Sequence, residues 1–406
     1  MRTLTRDKRF LLILFANVFS SIGTGITMIA VPWLLVQVDG GKVFGQMALT
    51  MTIIHFFLSP WIGLMVDRFS RKKILLTGEA LGFLVVTFFT IQGFIYGYET
   101  IQLLLIYAIG TLYYNLFYPT MFAFIQEVFD EDVYHTLNGA MEVQGQVASM
   151  LAGGISSFLL TVVDLQWILL LDATTYLLAC FLFWLIPYKK GERDVTSRSF
   201  FSNMLEGFRY MKRRPMLFFL LLGSFMPFIG VMMTNYLFPV YLSEELQVSG
   251  TAYSLQTTVY GIGAIVAGLA IPILVRKWTS MKTIMTTVTL YTIGITSVLL
   301  FKQLAIFYVL VFFMAFGNAG SRVARNTLVM EIVPNQIIGR VTALFRVIGL
   351  GIRIVLLSTF TTLVSHQLVT VSFYILSVIL IIATLVVFLS AQQLVNQSSL
   401  NKNTAM

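Results

Sequence analysis

Three carboxylates and four guanidinium groups stand inside long apolar runs of this chain: Glu79, Glu142 and Asp172, then Arg322, Arg325, Arg346 and Arg353. Where such runs cross a membrane, each charge costs about 2.5–3.5 kcal/mol on insertion scales, so it points to function by default. Glu142 heads a stripe with Gln146, Ser149 and Gly153, with Asn138 one turn before it. Steps of four, three and four residues put these side chains on one helical face. A carboxylate taken out of water is penalised in its charged form. Glu142 is therefore the leading candidate to take up and release a proton; the other reading makes it a fixed partner for a nearby arginine. Asp172, with Thr175 at i+3, is a second candidate for proton coupling, or else a capping or packing residue near the outer surface. Glu79 reads first as a partner for the neighbouring loop cations and second as a proton carrier.

The arginines pair by spacing. Arg322 and Arg325 share one helical face, and Arg346 and Arg353 share another. A guanidinium stays charged and grips carboxylate or phosphate through two parallel hydrogen bonds. The four read as a basic wall for an anionic or zwitterionic substrate, or as ion-pair partners of Glu142, Glu331 or other acids. Tyr107, Tyr114 and Tyr118 stripe one run, where they stack on an amphipathic ligand or pack on one another. Asn17, Ser20, Ser21, Thr24 and Thr27 give another run a weakly polar face, expected to line the same cavity. Tyr114, Asn17 and Gln146 are thus the further candidate substrate contacts. His55, alone among aromatics, reads as structural. No phosphate-binding glycine loop occurs, and no His/Cys cluster suits a metal. Neither a catalytic residue, a cofactor nor a metal is expected, and the chain does not read as an enzyme.

The elements that must carry these groups follow from composition. The chain has 406 residues, of which 57% are hydrophobic and 11% charged, against roughly 25% charged in soluble domains. A spanning helix takes about 20 apolar residues. Twelve runs qualify: 10–36, 43–66, 74–96, 101–126, 138–163, 166–187, 216–241, 250–275, 283–303, 304–331, 341–364 and 369–391. Backbone in lipid must bond to itself, so each is a helix. The fold class is an all-α polytopic membrane protein with about twelve transmembrane helices in two six-helix bundles. The first run is too long for a cleaved signal peptide and reads as a retained span. The single cysteine, Cys180, excludes an intramolecular disulfide framework.

The net charge of +9 sits between the spans, not on a nucleic-acid-binding face. Arg2, Arg6, Lys8 and Arg9, then Arg68, Arg71, Lys72 and Lys73, then Arg276, Lys277 and Lys282, and Arg340 all fall in loops of one side. The opposite loops hold only Lys42 and Lys302 as cations. The positive-inside rule then places both termini in the cytoplasm, in a multi-pass plasma-membrane protein. Residues 1–187 form the N-terminal bundle, 188–215 a cytoplasmic linker, 216–391 the C-terminal bundle and 392–406 a disordered polar tail. Within the linker, Phe200, Phe201, Met204, Leu205, Phe208 and Met211 recur at helical spacing, which predicts an amphipathic helix on the inner leaflet. The halves repeat. IGLMVDRFSRKKIL (62–75) aligns with IPILVRKWTSMKTI (271–284), pairing Arg68 with Lys277 and Lys73 with Lys282, while Asp67 meets Arg276.

The stretch GLMVDRFSRKK (63–73) is similar to the signature of the major facilitator superfamily, G-x-x-x-D-R-x-x-R-[KR]-[KR]. Twelve spans, a central loop and a degenerate second copy agree with it. DRFSRKKILLTGEA (67–80), LDATTY (171–176), EGFRYMKRRPML (206–217) and IIGRVTAL (337–344) resemble its drug and macrolide efflux branch. Two departures stand out. IYAIGTLYY (106–114) lacks the arginine of many proton antiporters, and SMLAGGISS (149–157) lacks the Gly-Pro pair of drug antiporters.

The resemblance implies two bundles that rock about a central cavity. It also implies a conformational latch. Gly63 would allow close helix packing, and Asp67 would sit at the N-terminal end of span eleven. Arg68 and Arg71 would bind Glu127, Asp130, Glu131 and Asp132, while Lys72 and Lys73 would serve topology alone. The function expected is secondary active export of amphipathic small molecules by alternating access and proton antiport, by a monomer whose partners are its substrate, protons and the bilayer. The alternative is an exporter or flippase of an anionic metabolite such as a siderophore, peptide or lipid headgroup. A non-transporting membrane sensor is a third reading.

Overall fold

The computed structural model describes residues 7–129, 134–188, 200–301 and 303–403, without the side chains of 67, 134–136, 138–140, 142, 200–203, 335–336, 395 and 397–403. The described residues form twelve α-helices and one π-helical turn, Tyr241–Glu245. In chain order the helices are α1 (Lys8–Arg68), α2 (Arg71–Tyr96), α3 (Thr100–Val128), α4 (Tyr134–Val162), α5 (Leu165–Leu185), α6 (Phe200–Lys212), α7 (Pro215–Val240), α8 (Gly250–Lys277), α9 (Ser280–Val298), α10 (Leu304–Ile332), α11 (Asn335–Ser365) and α12 (Val369–Asn403).

Helix α1 has 61 residues, about 90 Å at 1.5 Å per residue. That is three times the hydrocarbon thickness of a bilayer, so α1 must turn back. It does so at Gly40, whose φ of 77° lies outside the helical region and favours a residue without a Cβ. The Glu244 carboxylate accepts the backbone N–H of Gly41 at 2.7 Å, just past the break.

Ten stretches are long and apolar enough to cross a membrane, the first of them running from Lys8 to Val66. Gly40 folds that one into two. The remaining span is α9, which is rich in threonine. Thr283, Thr286, Thr287, Thr289, Thr292 and Thr296 each bond a carbonyl one turn back. Their hydroxyls are thereby satisfied without water, as a span requires. This is an all-helical polytopic membrane protein of two six-helix bundles.

The chain divides into two compact units: Met1–Thr196 with Pro239–Gly261, and Ser197–Phe238 with Ile262–Met406. In the first, Ile13, Leu75, Phe124, Ala179 and Phe183 form the buried core. Segment 239–261 packs into this unit. Tyr253 stacks on Trp33 at 5.6 Å between ring centroids, and Ser254 donates to Ser156 at 3.3 Å. In the second, Leu220, Leu221, Ile271, Ile284, Val288, Leu328 and Val341 are buried together. Helix α6 belongs to this unit. It buries Met211 there, and Arg340 of α11 donates to Glu206.

Two expectations fail. Helix α12 continues to Asn403, through residues whose polar composition predicted a disordered tail. No glycine or proline interrupts 392–403, and a formed helix extends without a new nucleation cost. Three residues of the polar face of span one turn into the first bundle's own core instead of the expected shared cavity. Ser20, Thr24 and Thr27 are buried inside the first bundle.

Candidate functional site

Ser20, Thr24 and Thr27 lie at i, i+4 and i+7 of α1 and point to one side. Each meets a partner from another helix of the first unit. Tyr113 of α3 donates to Glu79 Oε1 of α2 at 2.7 Å. Its oxygen lies 2.7 Å from Ser20 Oγ. With the single Tyr113 proton committed to Glu79, Ser20 is the donor in that second bond. Thr24 donates to the Tyr176 hydroxyl of α5 at 3.0 Å. Thr27 donates to Asp172 Oδ2 at 2.6 Å. Thr175 donates to the Asp172 backbone carbonyl at 2.7 Å. The tyrosine rings meet edge to face, 5.1 Å between centroids.

Four helices must come close for this. Gly23 of α1 lies against Asp172 and Thr175, and a Cβ there would stand 2.7 Å from Asp172 Oδ1. Gly82 of α2 faces the Tyr176 ring, where a Cβ would fall 2.6 Å from Cε1. Beside the cluster is a cavity of about 240 Å³ between α1, α2, α3 and α5, lined by Thr24, Thr27, Gly78, Gly82, Tyr113, Asp172 and Tyr176 among apolar side chains.

Glu79 has none of its side chain's residue surface exposed, and Asp172 only 1%. Among the described residues, every group that bonds them is a hydroxyl or phenol, and neither pairs with lysine or arginine. Glu79 is therefore not a partner of the loop cations, and Asp172 is a core residue rather than a cap near the surface. What the arrangement can do chemically is bind a cation or a proton, with hydroxyls ready to donate or accept as the carboxyl changes state.

The other candidate residues are scattered. The side chains of Glu142 and Asn138 lie outside the described residues, as does that of Asp67. Asn17 donates to Gln144, on the α4 face opposite the predicted stripe, and both are buried. Gln146 is half-buried. Tyr114 and Tyr118 stack on each other and are 58% and 60% exposed. In the second unit, Arg325 donates to the Ser224 carbonyl at 2.9 Å and lies 4.9 Å over the Phe225 ring. Arg322 and Arg353 are half-buried, and Arg346 is exposed. Glu331 accepts from Ser280 at 3.1 Å.

At the loop after the second span, Arg71 stands 3.8 Å from Glu127 and donates to the Ala123 carbonyl at 2.5 Å. Tyr188 donates to the same Glu127 carboxylate at 2.7 Å. Asp130, Glu131 and Asp132 lie outside the described residues. Arg68 is exposed. A Cβ on Gly63 would meet nothing within 4 Å. Lys72 does more than set topology. Its ammonium binds the Trp184 and Ile186 carbonyls at 2.9 and 2.7 Å, a cation on the exposed end of α5.

Sequence reasoning missed Tyr113 and Tyr176. Tyrosine spacing along α3 selected 107, 114 and 118, and Tyr113 falls on the neighbouring face. The available signal was the pairing of glycine with acid, Gly23 opposite Asp172 and Gly82 three residues beyond Glu79, but the partner helix is unknowable from the chain alone.

The model of a family described as the Major Facilitator Superfamily matches residues 13–244 and 220–403. The multidrug efflux pump Tap of Mycolicibacterium fortuitum is 22% identical over 356 residues, covering 83% of this chain and 85% of that protein. Tap of Mycobacterium tuberculosis is 26% identical over 113 residues, 28% of this chain and 27% of that one. Among solved structures, the nucleoside transporter NupG superposes with a TM-score of 0.72 at 11% identity, over 95% of this chain and 99% of that one. The D-xylose-proton symporter gives 0.70 at 16% identity, over 93% and 96%.

Proposed function

The chain belongs to the major facilitator superfamily of membrane transporters, and on that premise we propose that it exports amphipathic small molecules in exchange for protons. The observation that carries this reading is the pair of buried carboxylates, Glu79 and Asp172, held by hydroxyls alone among the described residues. A structural carboxylate in a membrane core is stabilised by a cation or replaced by an apolar residue. One kept with hydroxyl partners is poised to exchange a proton. The match to a multidrug efflux pump over most of both chains supports export of drug-like molecules. The driving force suffices, since one charge crossing 100 mV is worth about 2.3 kcal/mol. Glu142 is a third candidate in the relay. Arg71 with Glu127 would serve as one side of the conformational latch. The cation-rich loops favour cytoplasmic termini in a plasma-membrane monomer.

The test is transport by purified protein in vesicles under an imposed pH gradient. Asp172→Asn and Glu79→Gln are expected to abolish accumulation against a gradient while downhill exchange persists. Gradient-driven accumulation at the wild-type rate in both variants would remove proton antiport at this site. A second reading draws on Arg325, half-buried over Phe225, with Arg322 and Arg353 on the same unit: export of an anionic metabolite. Arg353→Ala decides between the two. Loss of anion transport with cationic drug efflux intact favours the second.

A further inference from the structure

The cavity beside Asp172 opens sideways. Of its lining residues, Leu81 on α2 and Leu112 on α3 are the exposed ones, at 60% and 37%. Its mouth therefore lies between these two helices. The same face of α2 continues through Leu84 and Phe88, 61% and 64% exposed, an apolar strip suited to acyl chains. The cavity holds about 240 Å³. That exceeds the roughly 150 Å³ apolar cavity that admits benzene and falls short of the ~300 Å³ where drug-sized pockets begin. It fits one aromatic ring with a short chain.

Its inner end is acidic. Asp172 lines it, and Glu79 stands behind Tyr113 with its Oε2 lacking a hydrogen-bond partner among the described residues. The two carboxylates have hydroxyl partners only, and no lysine or arginine reaches them among the described residues. An ammonium group would supply the positive charge and the donors that the bundle does not.

We propose that this side pocket binds a small lipophilic amine that enters from the bilayer between α2 and α3. The ammonium meets Asp172, and the apolar end rests among the α2 and α3 side chains. The proposal rests on the reading of Asp172 and Glu79 as working carboxylates, and it adds a ligand class and a route.

The experiment is equilibrium binding of radiolabelled phenylbutylamine to the full protein in phosphatidylcholine nanodiscs, with empty nanodiscs subtracted. Saturable binding is expected, displaced by unlabelled amine and not by the neutral phenylbutanol. Asp172→Asn should weaken it by about tenfold or more, the scale set by one charge-assisted contact. Gly78→Val plugs the cavity with little strain, because a Cβ there clears Tyr113 by 3.6 Å. It should cause the same loss, as should Leu81→Trp at the exposed mouth. Binding no greater than in empty nanodiscs, equal displacement by the alcohol, or unchanged affinity in both plugging variants overturns the pocket. Proton uptake on the same samples separates the two readings. Uptake that Asp172→Asn lowers, without amine binding, overturns the pocket alone. Amine binding with uptake unchanged in Asp172→Asn overturns the coupling role alone.

Discussion

The two bundles share a loop motif and fill their interiors differently. Extending the alignment of 62–75 with 271–284 puts Val288 where Glu79 stands and Tyr291 where Gly82 stands. Helices α3 and α10 both have 29 residues; matched end to end, Tyr113 falls opposite Gly317. The first bundle thus holds a carboxylate, a phenol and a glycine where the second holds valine, glycine and tyrosine. Val288 and Tyr291 are both fully buried. A Cβ on Gly317 would stand 2.8 Å from the Tyr291 backbone nitrogen, so these two helices pack directly on each other. The same scaffold is closed by apolar contact in one half and by a hydroxyl–carboxylate network in the other. At the matched positions the second half packs without a carboxylate, so the shared helix geometry does not require one there.

The loops repeat the contrast. Arg71 of the first copy aligns with Ser280 of the second. Glu127 and Glu331 each occupy the last turn of their helices. Arg71 meets Glu127 as an ion pair at 3.8 Å, whereas Ser280 gives Glu331 a neutral donor at 3.1 Å. Both copies carry an acid there, and among the described residues only the first pairs it with a charged partner.

Making the halves alike should erase what distinguishes them. The largest effect expected is on transport: Glu79→Val, the residue of the second half, should abolish gradient-driven accumulation. Its thermal stability should fall by no more than about 1–3 kcal/mol, the cost of leaving the Tyr113 hydroxyl without its acceptor. A melting temperature that falls sharply would make Glu79 a structural residue. Next is the reverse exchange. Val288→Glu sets a carboxyl in a core whose nearby threonine hydroxyls already donate to backbone carbonyls and should cost at least about 2.5–3.5 kcal/mol, read as a lowered melting temperature and yield. Wild-type stability would show that the second core accepts an acid, and the contrast between the cores would lose its meaning. The smallest effect belongs to the loops. Arg71→Ser should cost about 1–2 kcal/mol, since the mostly buried Glu127 carboxylate loses its cation but keeps the Tyr188 donor, and should slow turnover without changing substrate affinity. Turnover at the wild-type rate would confine Arg71 to topology.

Much of this was legible in the chain. Apolar length fixed the spans, because a bilayer has one thickness and lipid offers the backbone no partners. The repeat, the loop cations and the contact of Arg71 with Glu127 could be read from spacing and a family signature. Asp172 and Glu79 stood out as costly charges, though their partners were misjudged. The loop cations do not reach Glu79 among the described residues, and Ser20, Thr24 and Thr27 of α1 turn to partners inside the first bundle.

What the sequence by itself determined is therefore every element that one helix or one loop specifies, since period and polarity act within a few residues. Which carboxylate meets which hydroxyl was decided only by tertiary structure. Thr27 and Asp172 are 145 residues apart in the chain, and their 2.6 Å contact exists because Gly23 and Gly82 let α1, α2 and α5 approach within reach of short side chains. Such an approach is a property of three helices at once, and no single stretch encodes it.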